Sequence, residues 1–374
     1  MKKFLKILML SLLMLVSVFA FVACGEDGDN DGKTGLLYKM YEGDSYYTVY
    51  GYVDDGTNID TLNISDYNKD GVSIGRIKAN AFKDNDTLKT LIIPSTVETI
   101  DAGAFANMKK LETIELPFVG LTAVADTSFN SLDQSEDKSV GAERTFGYVF
   151  GTESYNGGLA MTQSYDETNT NTTYVPATLK KVIINNTVAE RAYGIPMYAF
   201  AGANLVSEVE LKGNIAVIGE CAFKNALGLS RINVPASVLQ IKKQAFMGTV
   251  NLKEGFTIDS GSTLQILGES VFNGSAVKNV SLPTSVLAIG NSCFANSKIE
   301  DVNLGSVVLI PTGAFANCAY LTEITIPDTV SVINAHAFIN CDALATVVVN
   351  GTWNNTVNAT NLVSDKVNEV FVKI

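Results

Sequence analysis

Two cysteines and the only histidine of the chain fall in two neighbouring copies of one pattern. "GAFANCAYLTEITIP" (residues 313–327) holds Cys318, and "HAFINCDALATVVVN" (residues 336–350) holds His336 and Cys341. A thiol beside an imidazole is the chemistry of a nucleophilic cysteine whose proton the ring removes. "GVSIG" (Gly71–Gly75) has the letters of a nucleophile elbow, which needs a strand before it, a helix after it and a histidine close by. Glu208 and Glu210 alternate along one strand face, a carboxylate pair of the kind glycoside hydrolysis uses. Nearer the start, "DGDNDG" (residues 27–32) is half a calcium loop, but Tyr38 stands where the bidentate glutamate belongs. "GDNDGKT" (residues 28–34) is one residue short of a phosphate-cradling loop and follows no strand.

What positions these residues is a repeat. Phenylalanines 82, 105, 129, 200, 223, 246, 272, 294, 315 and 338 mark its units, usually 21 to 26 residues apart. Five residues before each stands an aliphatic, such as Val124, Ile218 or Ile333. After most comes an aliphatic-x-x-aliphatic-x-aliphatic segment, as in Leu111/Ile114/Leu116 and Leu321/Ile324/Ile326. Alternation across its last three positions predicts a short strand with one buried face. So short a strand is unstable alone, but stacked units build a parallel sheet that advances about 4.8 Å per unit. The Ala-Phe segment reads as a short helical or 3-10 turn whose phenylalanine plugs the layer. Strands at Ile59/Leu62/Ile64 and Val367/Val370/Val372 extend the count to about twelve, a solenoid roughly 55 Å long. The fold class is therefore a leucine-rich-repeat-like solenoid over residues 36–374. "YYTVYGYV" within residues 36–58 is expected to cap one end, and residues 351–374, with Trp353, the other.

The repeat decides the chemistry. His336 sits two residues before its phenylalanine, where other units carry Asn80, Gly103, Tyr198, Cys221, Gln244, Ser270 or Gly313; such tolerance marks a surface position. Cys318 and Cys341 share one repeat position, where parallel stacking points both side chains the same way and favours free, buried thiols. "GVSIG" lies ten strands from His336, and a flat strand face encloses nothing around Glu208 and Glu210. No catalytic residue, metal or cofactor is expected.

"IGECAFKNALGLSRINVPASV" (Ile218–Val238) and "IPTGAFANCAYLTEITIPDTV" (Ile310–Val330) resemble the BspA-like leucine-rich repeats of bacterial surface proteins. That resemblance implies a non-enzymatic protein that adheres to host or neighbouring-cell proteins, including matrix glycoproteins. The start of the chain agrees with export: Lys2, Lys3 and Lys6 precede an apolar run that ends at Ala23, a secretory signal over residues 1–23. "FVAC" (residues 21–24) resembles the lipobox of bacterial lipoproteins, with Phe21 where leucine is usual. It implies lipid on Cys24, a tether over residues 24–35 and a membrane contact through the lipid alone. An ordinary signal peptide with an incidental cysteine is the other reading. A net charge of −12 and the lack of a basic patch beyond the signal argue against nucleic acid.

The repeat breaks once. After Phe129 the next strand pattern waits until Leu179/Val182/Ile184, which leaves residues 135–178 as an insertion carrying Phe146, Tyr148, Phe150, Tyr155, Tyr165 and Tyr174. Exposed aromatics among Asn, Ser and Gly make adaptable contacts, so the insertion is a candidate recognition element. Alternatively it is a folded flap whose "FGYVFG" covers core. A second candidate is the outward side of the strands, with Thr113/Glu115, Glu208/Glu210, Arg231/Asn233, Asn279/Ser281, Asp301/Asn303 and Glu323/Thr325. This strip is either a protein-binding face or simply a solvated one. The expected partner is an extracellular or cell-surface protein; an envelope scaffold with no dedicated ligand is the alternative.

Overall fold

The computed structural model describes residues 29–30, 35–54, 59–69, 71–123, 141–188, 193–349, 351–353, 357–365 and 368–374. The signal segment, Cys24, Val124 and Phe129 lie outside these residues.

Each circuit of the chain lays down a main-sheet strand, a short lateral strand and a tight turn. The main sheet runs in parallel through Thr61–Asn63, Thr90–Ile92, Thr113–Leu116, Lys181–Asn186, Glu208–Gly213, Arg231–Val234 and Phe256–Ile258. Asn279–Ser281 pairs with Asp301–Asn303, and Glu323–Ile326 with Thr346–Val349, in the same parallel sense. Register is kept in step, with Val182 opposite both Ile114 and Val209. That parity sends Val209, Leu211, Ile324 and Ile326 inward in every layer. The lateral sheet carries the aliphatics that precede each phenylalanine, in Tyr193–Ile195, Ile215–Ile218, Gln240–Ile241, Ile266–Leu267 and Ala288–Ile289. Leu309–Ile310 and Val332–Ile333 continue this pattern.

Between the two sheets the phenylalanines form a column. From Phe200 to Phe338 adjacent rings lie 5.0–5.6 Å apart and within 13° of parallel. All are at most 1% exposed. Offset stacking of this kind adds to the burial of each ring.

The turns around these rings are not the helical or 3-10 pieces expected from sequence. The residues two before and two after each phenylalanine are left-handed, as at Cys221 (φ 54°) and Asn225 (φ 53°) or His336 (φ 61°) and Asn340 (φ 59°). Left-handed residues at both ends stop a helix from propagating and aim alternate N–H groups along the solenoid. Cys221, Phe223 and Asn225 thus donate to the carbonyls of Lys243, Ala245 and Met247 in the next layer. The turns become a third hydrogen-bonded face. Asparagine tolerates this backbone, and its side chains build a ladder: Asn340 donates to Asn317, Asn317 to Asn296 and Asn296 to Asn273, at 2.8, 2.8 and 3.1 Å.

Three further expectations meet the structure here. Leu36–Met40 and Tyr47–Tyr52 form an antiparallel hairpin that continues the lateral sheet beside Val72–Ile77, with Tyr52 stacked on Phe82. The strand Asp29–Asn30 pairs with Leu37 and Tyr38, so the sheet reaches into the stretch expected to be tether. The last strand is a correction. Phe371–Val372 runs antiparallel to Val332–Ile333 in the lateral sheet, with Phe371 the buried residue and Val370 and Val372 exposed, the reverse of the inward valines expected. It is not a twelfth main-sheet repeat.

Removing one ring of the column should therefore be costly. Phe315→Ala is expected to destabilise by about 3–5 kcal/mol, as for other buried phenylalanines, while Tyr320→Ala, half exposed in the same unit, stays within about 0.5 kcal/mol; urea unfolding followed by circular dichroism measures both. For the ladder, Asn317→Ala loses the amide and strains the left-handed backbone, whereas Asn317→Gly loses only the amide. The alanine variant should be less stable by about 1 kcal/mol in the same assay.

Candidate functional site

None of the nucleophile patterns becomes a reaction centre. Ser73 lies within the strand Val72–Ile77, with no elbow and no following helix. Cys318 and Cys341 are free and fully buried, their Sγ atoms 3.1 and 2.9 Å from the carbonyls of Phe294 and Phe315, one layer back in each case. They fill the layer and satisfy backbone. Contact with Cys318, reinforced by burial, raises the Cys341 thiol, and burial pushes Cys221 up to about 11. Thiolates do not form readily at Cys341 and Cys221. His336 is half-buried on its left-handed turn.

The insertion divides into two parts with different roles. Phe146–Phe150 is a 3-10 turn whose Phe146, Val149 and Phe150 are fully buried. Phe105 N–H donates to Val149 O, and Phe146 N–H to Ala199 O, the bonds that link adjoining turns elsewhere. Ring contacts run from Phe105 to Phe150, Phe146 and Phe200 at 6.1, 5.3 and 5.1 Å. So Phe146 and Phe150 carry the column across the break, and the "FGYVFG" segment covers core as the alternative reading held. Neither is an exposed contact residue. Sequence reasoning placed the break after Phe129 because it too has an aliphatic five residues ahead; at that spacing before Phe150 stands the buried Thr145.

The rest of the insertion is a hairpin, Gly158–Ser164 against Thr170–Pro176. It docks through Gln163, whose side chain accepts from Gly147 N–H and donates to Ala199 O. Asp166 ties the tip, accepting from the amides of Thr168 and Asn169 and from the Asn169 side chain. Led by the Asn169 side-chain bond, these hold its carboxyl down at about 2. Tyr148, Tyr155, Tyr165 and Tyr174 are all half-buried. The hairpin packs on the turns of the solenoid, so the structure does not bring these tyrosines together with Glu208, Glu210 or Arg231 on the main sheet.

The outward strip of the main sheet is where charge is organised. Parallel register sets Lys181, Glu208 and Arg231 side by side. Lys181 Nζ reaches one oxygen of Glu208 and one of Glu210, each at 2.8 Å, and Lys212 holds the other Glu210 oxygen at 3.0 Å. Burial raises the Glu210 carboxyl, but the hydrogen bonds from Lys181 and Lys212 outweigh it and leave its pKa below the ordinary value. A carboxyl held down in this way, as at Glu210, is the opposite of the raised acid that sugar hydrolysis uses as proton donor. They do line one wall of a shallow depression of about 860 Å³, with Arg231, Asn233, Asn251, Lys253, Glu254 and Thr257 around it. Sequence reasoning found Glu208, Glu210 and Arg231 from alternation; it missed Lys181, Lys253 and Glu254, which come from the broken unit and an irregular one. Asp301 and Glu323 point outward on the same sheet and are exposed, further along the array and outside this depression.

The ion pairs make a pH prediction. A depressed carboxyl contributes stability that is present above its ordinary value of 4.5 and fades as pH falls through its folded value. Lys181→Met should shift the Glu210 titration upward, as seen by carboxyl carbon NMR, and flatten the acid limb of stability below about pH 5.

The family model for the BspA type leucine rich repeat region (6 copies) matches residues 56–150, 167–257 and 240–360. No curated protein matches the chain. Among solved structures, a leucine rich repeat protein of Treponema pallidum is 23% identical over 53% of this chain and 81% of its own, with a TM-score of 0.35. A leucine-rich repeat protein from Bacteroides ovatus is 18% identical, covering 87% and 90% with a TM-score of 0.34. A leucine rich cell surface protein from Faecalibacterium prausnitzii is 16% identical, covering 88% and 96% with a TM-score of 0.27. The family match spans most of the turns described above and both sides of the break, and the chain belongs to the BspA-type leucine-rich-repeat family.

Proposed function

We propose that this protein is a non-enzymatic surface adhesin, lipid-anchored through Cys24 at the bacterial cell surface, that binds an extracellular or matrix protein on its main sheet. The observation that carries the reading is the depression bounded by Lys181, Glu208, Glu210, Arg231, Lys253 and Glu254. Mixed charges on a rigid strand array give orientation and specificity to a protein partner, and the half-buried ion pairs hold the side chains in place before contact. Arg231, the exposed arginine of this group, is the residue most suited to anchor a carboxylate of the partner. The hairpin of the insertion flanks the turns instead, and its tyrosines act as scaffold in this reading.

The test uses immobilised protein against solubilised matrix glycoproteins as probe. Saturable capture is expected, weakened tenfold or more by Arg231→Glu with Lys253→Glu and by raising salt. Capture that ignores both substitutions, or is lost only when the hairpin is altered, sinks the main-sheet reading. The anchor has its own test: in palmitate-labelled cells Cys24→Ser should abolish the label and release the protein from the membrane fraction. Retained label would refute lipidation at Cys24. A thiol reagent offers a third view, because Cys221, Cys293, Cys318 and Cys341 are buried and should stay unlabelled until the protein unfolds.

A further inference from the structure

The outer side of the lateral sheet changes character along the solenoid. Its outward column begins with Arg76 and Thr99 and passes Gln240; from there on it reads Ile266, Ala288, Leu309, Val332 and Val372. Each of these last five is partly or well exposed. The adjoining column is linked by backbone bonds from Val308 to Leu287 and from Ser331 to Val308. It adds Leu287 at 53% exposure and Val308 at 47%, and Val370, beside Phe371, adds 45%. Of the charged side chains flanking the terminal strand, Glu369 precedes Val370, and Lys373 is engaged by Asp328 at 3.1 Å. A ribbon of exposed aliphatic side chains therefore runs along one side of the last five layers, with Gln265 and Ser331 among them in the adjoining column, while the main-sheet side of the same layers shows water Asn279, Ser281, Asp301, Asn303, Glu323 and Thr325.

We propose that this ribbon is a self-association surface, occupied by the same ribbon of a second copy related by a two-fold axis. Its exposed side chains amount to roughly 500 Å² of aliphatic surface, near the upper end of what monomeric proteins leave in water. Two ribbons in contact bury roughly 1,000 Å², and a polar rim brings this to the size of a specific interface. The composition selects the occupant. Interfaces with a different protein lean on aromatic and arginine anchors and on complementary charge, and this ribbon has neither. Interfaces between like chains are the more apolar kind. The net charge of −12 on each chain opposes association, and an aliphatic contact adds little local repulsion to it. Face-to-face packing of two sheets about 10 Å apart lets β-branched and leucine side chains interdigitate, and a two-fold contact closes at the dimer. This inference is independent of the binding role of the main sheet.

Sedimentation of the full chain tests it, with Leu309→Glu/Val332→Glu on the ribbon and Arg231→Glu on the main sheet as control. The expected result is a concentration-dependent dimer for the unaltered chain and for Arg231→Glu. The double variant should be a monomer, its dissociation constant raised at least 100-fold, with an unchanged circular dichroism spectrum. Should the double variant unfold, Val372→Cys gives a second reading: mild oxidation should link two chains through this new thiol in proportion to the dimer. A monomeric unaltered chain at 100 µM overturns the proposal, as does association that survives the double variant, which would place the contact elsewhere, including the apolar N-terminal segment. Flotation with phosphatidylcholine vesicles that the double variant loses, without any dimer, would make the ribbon a lipid contact and also overturn it.

Discussion

The column of buried phenylalanines along the axis, stacked from Phe200 to Phe338, is the contact on which the other features of this solenoid depend. A layer offers three to six residues of main strand and two to four of lateral strand in the regular units, too little to hold a shape. A ring spaced 5.0–5.6 Å from the next matches the separation of hydrogen-bonded strands, so ring stacking and strand pairing are satisfied by one translation. The backbone around the ring bends to that requirement. Two left-handed residues bracket each phenylalanine and turn its N–H toward the next layer, which makes the turns as continuous as the sheets. Stability in such an array comes from neighbours rather than from any unit alone.

The break in the array follows from the same constraint. An insertion can leave the solenoid anywhere, but the column must stay filled. The inserted segment therefore returns two rings, Phe146 and Phe150, before it leaves again as a hairpin. With its largest apolar side chains committed to the axis, the insertion has half-buried tyrosines and a carboxylate-tied tip left for the surface. That moves attention to the two sheet faces, whose chemistry differs. Polar and paired charges cover the main sheet, whereas aliphatic side chains cover the later layers of the lateral sheet. A solenoid separates such faces cleanly, because each position of the repeat generates its own strip along the whole length.

Much of this was legible in order of residues alone. The recurrence of Ala-Phe, the aliphatic five residues before it and the alternating triplet after it state which side chains point inward, and Val209, Leu211, Phe223, Ile324 and Phe338 are indeed buried. They also place Cys318 and Cys341 at a filler position and Glu208, Glu210 and Arg231 outside. Less legible was anything that depends on which layers adjoin across the break. In a linear reading Phe150 lacks the marks of a plug that Phe129 has, and the hydrogen bonds from Phe105 to Val149 and from Phe146 to Ala199 are what show Phe146 and Phe150 in the column. The antiparallel return of Phe371–Val372 was hidden likewise, since alternating valines do not encode strand direction.

Sequence by itself determined the repeat, its inward and outward positions and the parallel stacking, because a period of about 23 residues with fixed aliphatic sites has one economical way to bury them. It also determined the resemblance at the N-terminus from which export and lipid attachment are argued. Tertiary structure decided how the gap in the column is closed, that Lys181 from the broken unit ties down Glu208 and Glu210, and that residues some 20 apart join into an aliphatic ribbon. The physical reason is common to all three. These are properties of contacts between layers, and a contact between layers is set by register and direction, which no single repeat contains.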